Sequence, residues 1–249
     1  MAEEFLRAQD LHKSFNEHKA VNGVSFTMAK GEIFGLLGPN GAGKTTTIRM
    51  LSTVLEPDRG EITIGGYSIK SNADQVRSII GVCPQELALY EDFSALENLV
   101  FFGRMVGLNG REAHAQAMAN LELMGLTERK KGRVEKFSGG MKRRINLAIA
   151  LMGSPELLFL DEPTVGIDPQ SRNNIYETIN GLRDRGMTIL YTTHYMEEAD
   201  RLCNRIAIMD GGQIIAMDSP DGLKGQIGDP DRVTLEDVFL KLTGRSLRD

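Results

Sequence analysis

The 249-residue chain is 41% hydrophobic and 25% charged, the balance of a globular protein with a sizeable core, which excludes disordered and fibrous classes. A net charge of −5 offers no general basic field for a nucleic-acid backbone, and Cys83 and Cys203, far apart and without metal-ligand spacing, read as buried free thiols. No apolar run approaches the roughly 20 residues of a membrane-spanning helix, and the acidic Met-Ala-Glu-Glu start lacks the basic and apolar regions of a secretory signal, so a cytosolic location is expected.

Residues 5–8, 24–28 and 33–37 read as short strands, with Gly31 turning between the last two, which suggests an antiparallel opening. The run 33–37 is apolar throughout, as in a strand buried on both faces. It leads through Gly38-Pro39-Asn40-Gly41-Ala42-Gly43-Lys44-Thr45 into a helix beginning near Gly43, the pattern and context of a phosphate-binding loop. Glycines let successive N–H groups turn inward around phosphates, the helix start adds positive potential, and Lys44 adds a full charge near the β and γ phosphates. Thr45 suits Mg²⁺, and Thr46 joins the nucleotide-binding set. A flexible glycine turn with an incidental lysine is the competing reading, and the flanking strand and helix count against it.

Residues 93–123 take on helical spacing, with Leu96, Leu99, Val100, Ala113, Ala117 and Leu121 covering helical faces, and read as a helical insertion. Phe137-Ser138-Gly139-Gly140-Met141 opens another helix, and Ser138, taken alone, is an N-cap. The densest basic run, Lys142-Arg143-Arg144, reads as a solvated helix face. Residues 157–160 form a buried strand ending in Asp161 and Glu162, and ligands bind at the C-terminal edges of parallel strands. There Asp161 suits Mg²⁺, directly or through water, and Glu162 is placed to accept a proton from water attacking a γ-phosphorus. A solvated acidic loop explains the pair equally well in isolation; the upstream phosphate loop favours catalysis. Strands at 188–191 and 206–209 alternate with helices at 170–182 and 196–202, giving a mostly parallel α/β core. Gly65-Gly66 and Gly211-Gly212 punctuate hairpin-like turns, and residues 235–242 read as a small amphipathic helix.

In this order the motifs resemble an ATP-binding cassette (ABC) protein over nearly the whole chain. The resemblance implies an α/β fold of the P-loop NTPase (RecA-like) kind, with a parallel-sheet core, an antiparallel β subdomain and a helical signature subdomain. A nucleotide-binding domain would cover 1–219, with the helical subdomain inserted at about 86–153, and a helical tail would cover 220–249. Ser138-Gly139-Gly140 resembles the signature that contacts the γ-phosphate of ATP held by the other subunit. Phe15 resembles the aromatic that stacks on adenine, and Gln85 the glutamine that links Mg²⁺ and water to the membrane subunit. Asp168 resembles the loop aspartate that crosses the dimer, and His194 the switch histidine that contacts the γ-phosphate; His12, His18 and His114 remain surface histidines. ATP and Mg²⁺ are the implied cofactors. The implied partners are a transmembrane permease and a head-to-tail second copy or homologous cassette, with no nucleic acid, at the cytoplasmic face of the membrane.

Phe137 and Met141 replace the leucine and glutamine of the commonest signature. This variant, with the tail at 235–244, resembles the ABC-2 type, whose members are mostly exporters of drugs, lipids or polysaccharides. The alternatives are an importer subunit or a cassette ATPase of translation or repair. Repair forms insert a long coiled coil, which residues 51–137 do not sustain, and translation forms generally carry two cassettes per chain.

Overall fold

The computed structural model describes residues 3–244. Residues 245–249, the end of the expected tail, lie outside the described residues, as do residues 1 and 2. In chain order the elements are β1 (Glu4–Phe15), β2 (His18–Ala29), β3 (Ile33–Leu37), α1 (Lys44–Leu51), β4 (Arg59–Ile64), β5 (Tyr67–Ser68), α2 (Ala73–Ile79) and β6 (Ile80–Cys83). They continue with α3 (Ala95–Met105), α4 (Gly110–Leu123), α5 (Gly139–Ala150), β7 (Leu157–Asp161), α6 (Pro169–Asp184) and β8 (Thr188–Thr193). The last are α7 (Met196–Leu202), β9 (Arg205–Asp210), β10 (Gln213–Asp218), α8 (Pro220–Gly225) and α9 (Leu235–Thr243). The chain divides into two units, one made of the residues up to Arg77 and those from Gly186 onward, the other of Ser78–Arg185.

The first unit holds an antiparallel sheet in the order β2-β1-β4-β5. Its first hairpin turns through Asn16, at φ +54, and Glu17, and its strands run further than the apolar clusters at 5–8 and 24–28 because the polar residues between also pair across the ladder. In the same unit β3 lies between β8 and β9, parallel to both, and β10 returns antiparallel to β9. β3 and β8 are buried along their whole length, which explains the unbroken apolar run of β3, while β8 also carries Thr188, Thr192 and Thr193 inside. Phe26 of β2 stacks on Phe34 of β3, rings 4.9 Å apart, so the antiparallel sheet packs on the parallel strands through a shared aromatic pair.

The second unit pairs β6 with β7 in parallel and packs α3, α4 and α5 around Leu99, Ala113, Ala117, Leu121 and Ile145. The helical stretch at 93–123 is two helices. Asn109 caps α4 in a reciprocal box with Glu112, and Gly107, at φ +95, lets the chain turn between α3 and α4. The basic run departs from its expected solvated face: Lys142 pairs with Glu91 at 2.5 Å and Arg144 donates to the Met124 carbonyl at 2.9 Å. Arg143 is only 6% exposed. It is buried on α5, as are Ile145 and Asn146, where charge alone would not place it.

Both thiols are buried and free; burial pushes Cys83 up to about 12 and raises Cys203 as well, so neither is a reactive thiolate. Among the described residues no helix is long and apolar enough to cross a membrane.

Candidate functional site

In the first unit, β3 delivers the chain into the loop 38–43 and α1 carries it away. Gly43 sits at φ +101 and Gly41 at φ +80, a left-handed backbone that favours glycine. A Cβ at Gly38 would strike the Met209 carbonyl, and one at Gly43 the Ala20 carbonyl, so this loop runs where a side chain cannot follow. α1 begins without a side-chain cap among the described residues and has no acidic residue in its first turn. With no acidic side chain to offset it, this helix start is a site of positive potential. Lys44, buried there, folds its ammonium back onto the loop, donating to the Gly38 carbonyl at 2.7 Å and the Pro39 carbonyl at 3.1 Å. An anion arriving at this helix start finds a full charge already held in the loop, the arrangement suited to phosphate.

The Gly38 amide also donates to the Thr193 carbonyl at 3.3 Å, tying the loop to the end of β8, and His194 is the next residue. His194 packs against the Tyr195 ring, centroids 4.1 Å apart. The segment is braced from inside: the buried Glu198 carboxylate accepts from the Tyr191 hydroxyl and from Thr193 Oγ1, both at 2.8 Å, while the Tyr195 amide donates to Thr193 Oγ1 at 2.9 Å. Glu198 and Thr193 are residues that the sequence reading passed over. A carboxylate four residues after a histidine carries no signal until the helix turns it back under the strand. Phe15, at the tip of the first hairpin, is 46% exposed and presents its ring outward.

The second unit carries the other group of candidates. β7 ends at Asp161, and both Asp161 and Glu162 are buried. Glu162 holds φ +48, a conformation that costs on the order of 1–3 kcal/mol for a residue with a side chain and clusters at functional positions. Gln85 reaches it from the segment after β6, its Nε2 donating to Glu162 Oε2 at 3.4 Å. Ser138 caps α5, Oγ accepting from the Met141 amide at 3.3 Å, and Ser138 and Gly139 are exposed. Asp168 caps α6, Oδ1 accepting from the Ser171 amide at 2.9 Å, and the Ser171 hydroxyl and amide hold its carboxyl below the usual range. The two helix starts meet at Gly140, where a Cβ would collide with the Ser171 side chain. Gln85 and Glu162 are thus brought together, as are Ser138-Gly139-Gly140 and the Asp168 turn.

The ABC transporter family model matches residues 21–165, from β2 through the phosphate loop to the turn after Glu162. The chain belongs to the ABC transporter family. It is the ATP-binding part of such a transporter, an ATPase. It is 53% identical to the linearmycin resistance ATP-binding protein of Bacillus subtilis over 90% of this chain and 72% of that protein. It is 44% identical to the Nod factor export ATP-binding protein I of Paraburkholderia xenovorans, over 99% and 84%. A solved ATP-binding subunit of an ABC transporter superposes with a TM-score of 0.84 at 30% identity, covering 96% of this chain and 99% of that one. A second cassette, crystallised in its ADP conformation, gives 0.79 at 26% identity over 88% and 92%.

Among the described residues no cluster of three histidine, cysteine or carboxylate side chains is placed to hold a metal. In the first unit Thr45 carries a hydroxyl oxygen, and in the second Asp161 carries a carboxylate and Gln85 an amide oxygen, donor types that fit a hard cation such as Mg²⁺.

Proposed function

We propose that this cassette binds MgATP and hydrolyses it to drive a transmembrane exporter permease of the ABC-2 type from the cytoplasmic face of the membrane. The relatives named for Nod factor export and for linearmycin resistance support the export direction, as does the Phe137 and Met141 signature variant. The nucleotide-binding core would span 1–219 and the tail 220–249.

In this reading the amides of the 38–43 loop and Lys44 bind the β and γ phosphates, with Thr46 beside them, and Phe15 stacks on the base. Thr45, Asp161 and Gln85 hold Mg²⁺, which when bound neutralises charge on the phosphate oxygens. Glu162 orients the attacking water and accepts its proton, and His194 contacts the γ-phosphate. Ser138-Gly139-Gly140 covers the γ-phosphate held by a second, head-to-tail copy or homologous cassette, and Asp168 crosses between the two. The permease docks on the segment 85–102. There Leu87, Tyr90 and Phe93 are exposed, and Tyr90 gathers Phe93 and Phe101 into an aromatic cluster with rings 5.1 and 5.0 Å away.

The observation that carries the hydrolytic reading is Glu162, buried, held at positive φ, and within reach of the Gln85 amide. Glu162→Gln keeps the shape and loses the base. Turnover should fall by about 100- to 10,000-fold while ATP binding is retained and ATP-bound dimers accumulate. Near-normal hydrolysis by this variant would remove Glu162 from the role.

A further inference from the structure

α5 does more than present the signature at its first turn. Arg143, 6% exposed, spans two successive peptide units: its Nη1 donates to the Pro84 carbonyl at 3.2 Å and to the Gln85 carbonyl at 2.8 Å. Asn146, three residues on and therefore on the same helical face, donates from Nδ2 to the Pro84 carbonyl at 3.2 Å and to Cys83 Sγ at 3.4 Å. Its Oδ1 accepts from the Ala88 amide at 3.3 Å. The stretch that these side chains grip is irregular, lies between the end of β6 and the turn before α3, and has the side chains of Gln85, Glu86, Leu87 and Ala88 exposed. Main-chain polar groups outside helices and sheets must find partners. Here two side chains from the signature helix supply them, and the Gln85 amide emerges from the gripped stretch toward Glu162.

We infer that Arg143 and Asn146 are positioning residues for the hydrolytic centre: side chains of the signature helix that clamp the main chain at 84–88 and so aim the Gln85 amide at Glu162. The inference rests on the proposed roles of Gln85 and Glu162. Arg143 is suited to the task because the two N–H donors of its Nη1 reach two carbonyls at once, from a permanently charged group on a long side chain. The clamp's bonds go to Cys83, Pro84, Gln85 and Ala88 and not to Lys44, so its loss should slow the chemical step more than it weakens ATP binding.

The test is a double-mutant cycle in the full chain, with steady-state ATP turnover, ATP affinity and thermal melting followed for Arg143→Met, Gln85→Ala and the pair. Arg143→Met should lower kcat by about tenfold with a smaller change in KM for ATP, and Arg143→Lys should recover part of the loss. In the Gln85→Ala background Arg143→Met should cost nothing more, because the clamp acts only through the glutamine it holds. Additive losses, an unchanged kcat, or an effect on KM alone would overturn the clamp. Should Arg143→Met fail to fold, Asn146→Ala and Arg143→Lys carry the same cycle and face the same criteria. Full turnover in Gln85→Ala by itself would instead strike the role of Gln85, and the clamp would fall with it; impaired Gln85→Ala beside a silent Arg143→Met defeats the clamp alone.

Discussion

Two helix starts in this protein are finished in opposite ways. α1 opens without a side-chain cap and with a buried lysine folded beside its first turn. α5 opens with Ser138 closing over its own Met141 amide, while Ser138 and Gly139 are exposed and a Cβ at Gly139 would meet nothing within 4 Å among the described residues. The first is a socket: a helix start of positive potential with the Lys44 ammonium held on the Gly38 and Pro39 carbonyls. The second is finished internally and offers an outer face with room for another molecule. On the proposed function, binding of nucleotide and completion of the site around it fall to different stretches of the chain, and the contrast can be tested stretch by stretch.

The largest expected effect belongs to the socket. Lys44→Ala removes charge-assisted bonds worth roughly 1.5–3 kcal/mol, so ATP affinity measured by equilibrium titration should fall by about 10- to 100-fold. Ser138→Arg, on the exposed face, should leave ATP binding by the single chain at the level of the unaltered protein; an equal fall in both variants would erase the distinction between the two helix starts.

A smaller effect is expected at the tip of the first hairpin. Phe15→Ala should cost about 1–3 kcal/mol of nucleotide affinity, and it should cost ATP and GTP alike, since an aromatic face stacks on either purine. Competition binding with the two nucleotides decides this. GTP weaker by several orders of magnitude in the unaltered chain would mean that hydrogen bonds, not stacking, read the base.

The smallest effect concerns the turn beside the signature. The Ser171 hydroxyl and amide lower the Asp168 carboxyl below the ordinary carboxylate range. A lowered folded-state value means that this contribution to stability is fully present above the ordinary range and is lost as pH falls through the lowered value. Ser171→Ala, which keeps the amide and removes the hydroxyl, should move the Asp168 titration upward when followed by carboxyl NMR. A titration that does not move would show that the hydroxyl does not hold the cap.

Much of this was legible in the sequence because its causes are local. A glycine at positive φ, a lysine at a helix start and four apolar strand residues followed by two carboxylates each announce themselves within a few positions, which is why the loop after β3 and the end of β7 could be read from the sequence. Family resemblance, not spacing, supplied Gln85, Asp168 and His194. Residues whose partners are distant in the chain were not legible. Arg143 looked like surface charge because its acceptors are carbonyls 58 and 59 positions away, and a carbonyl has no sequence signature. Glu198 hid in an acidic helix until Tyr191 and Thr193 were seen to donate to it. β6 and the break between α3 and α4 were missed for a related reason: four residues paired to β7, and a turn set by Gly107 and the Asn109 cap, leave little periodicity to read.

The central claim, that the socket of one chain is completed by the exposed signature of another, is tested most directly by mixing two inactive proteins. Lys44→Ala and Ser138→Arg each spoil both sites of their own dimer. In a mixed dimer both lesions fall in one composite site and the other is intact, so random, complete exchange should restore roughly a quarter of the sites of the unaltered protein. The measurement is ATP trapped per dimer, with Glu162→Gln present in every chain to block hydrolysis. Trapping near that quarter is the predicted result; verified mixed dimers that trap no more ATP than either parent would contradict the claim.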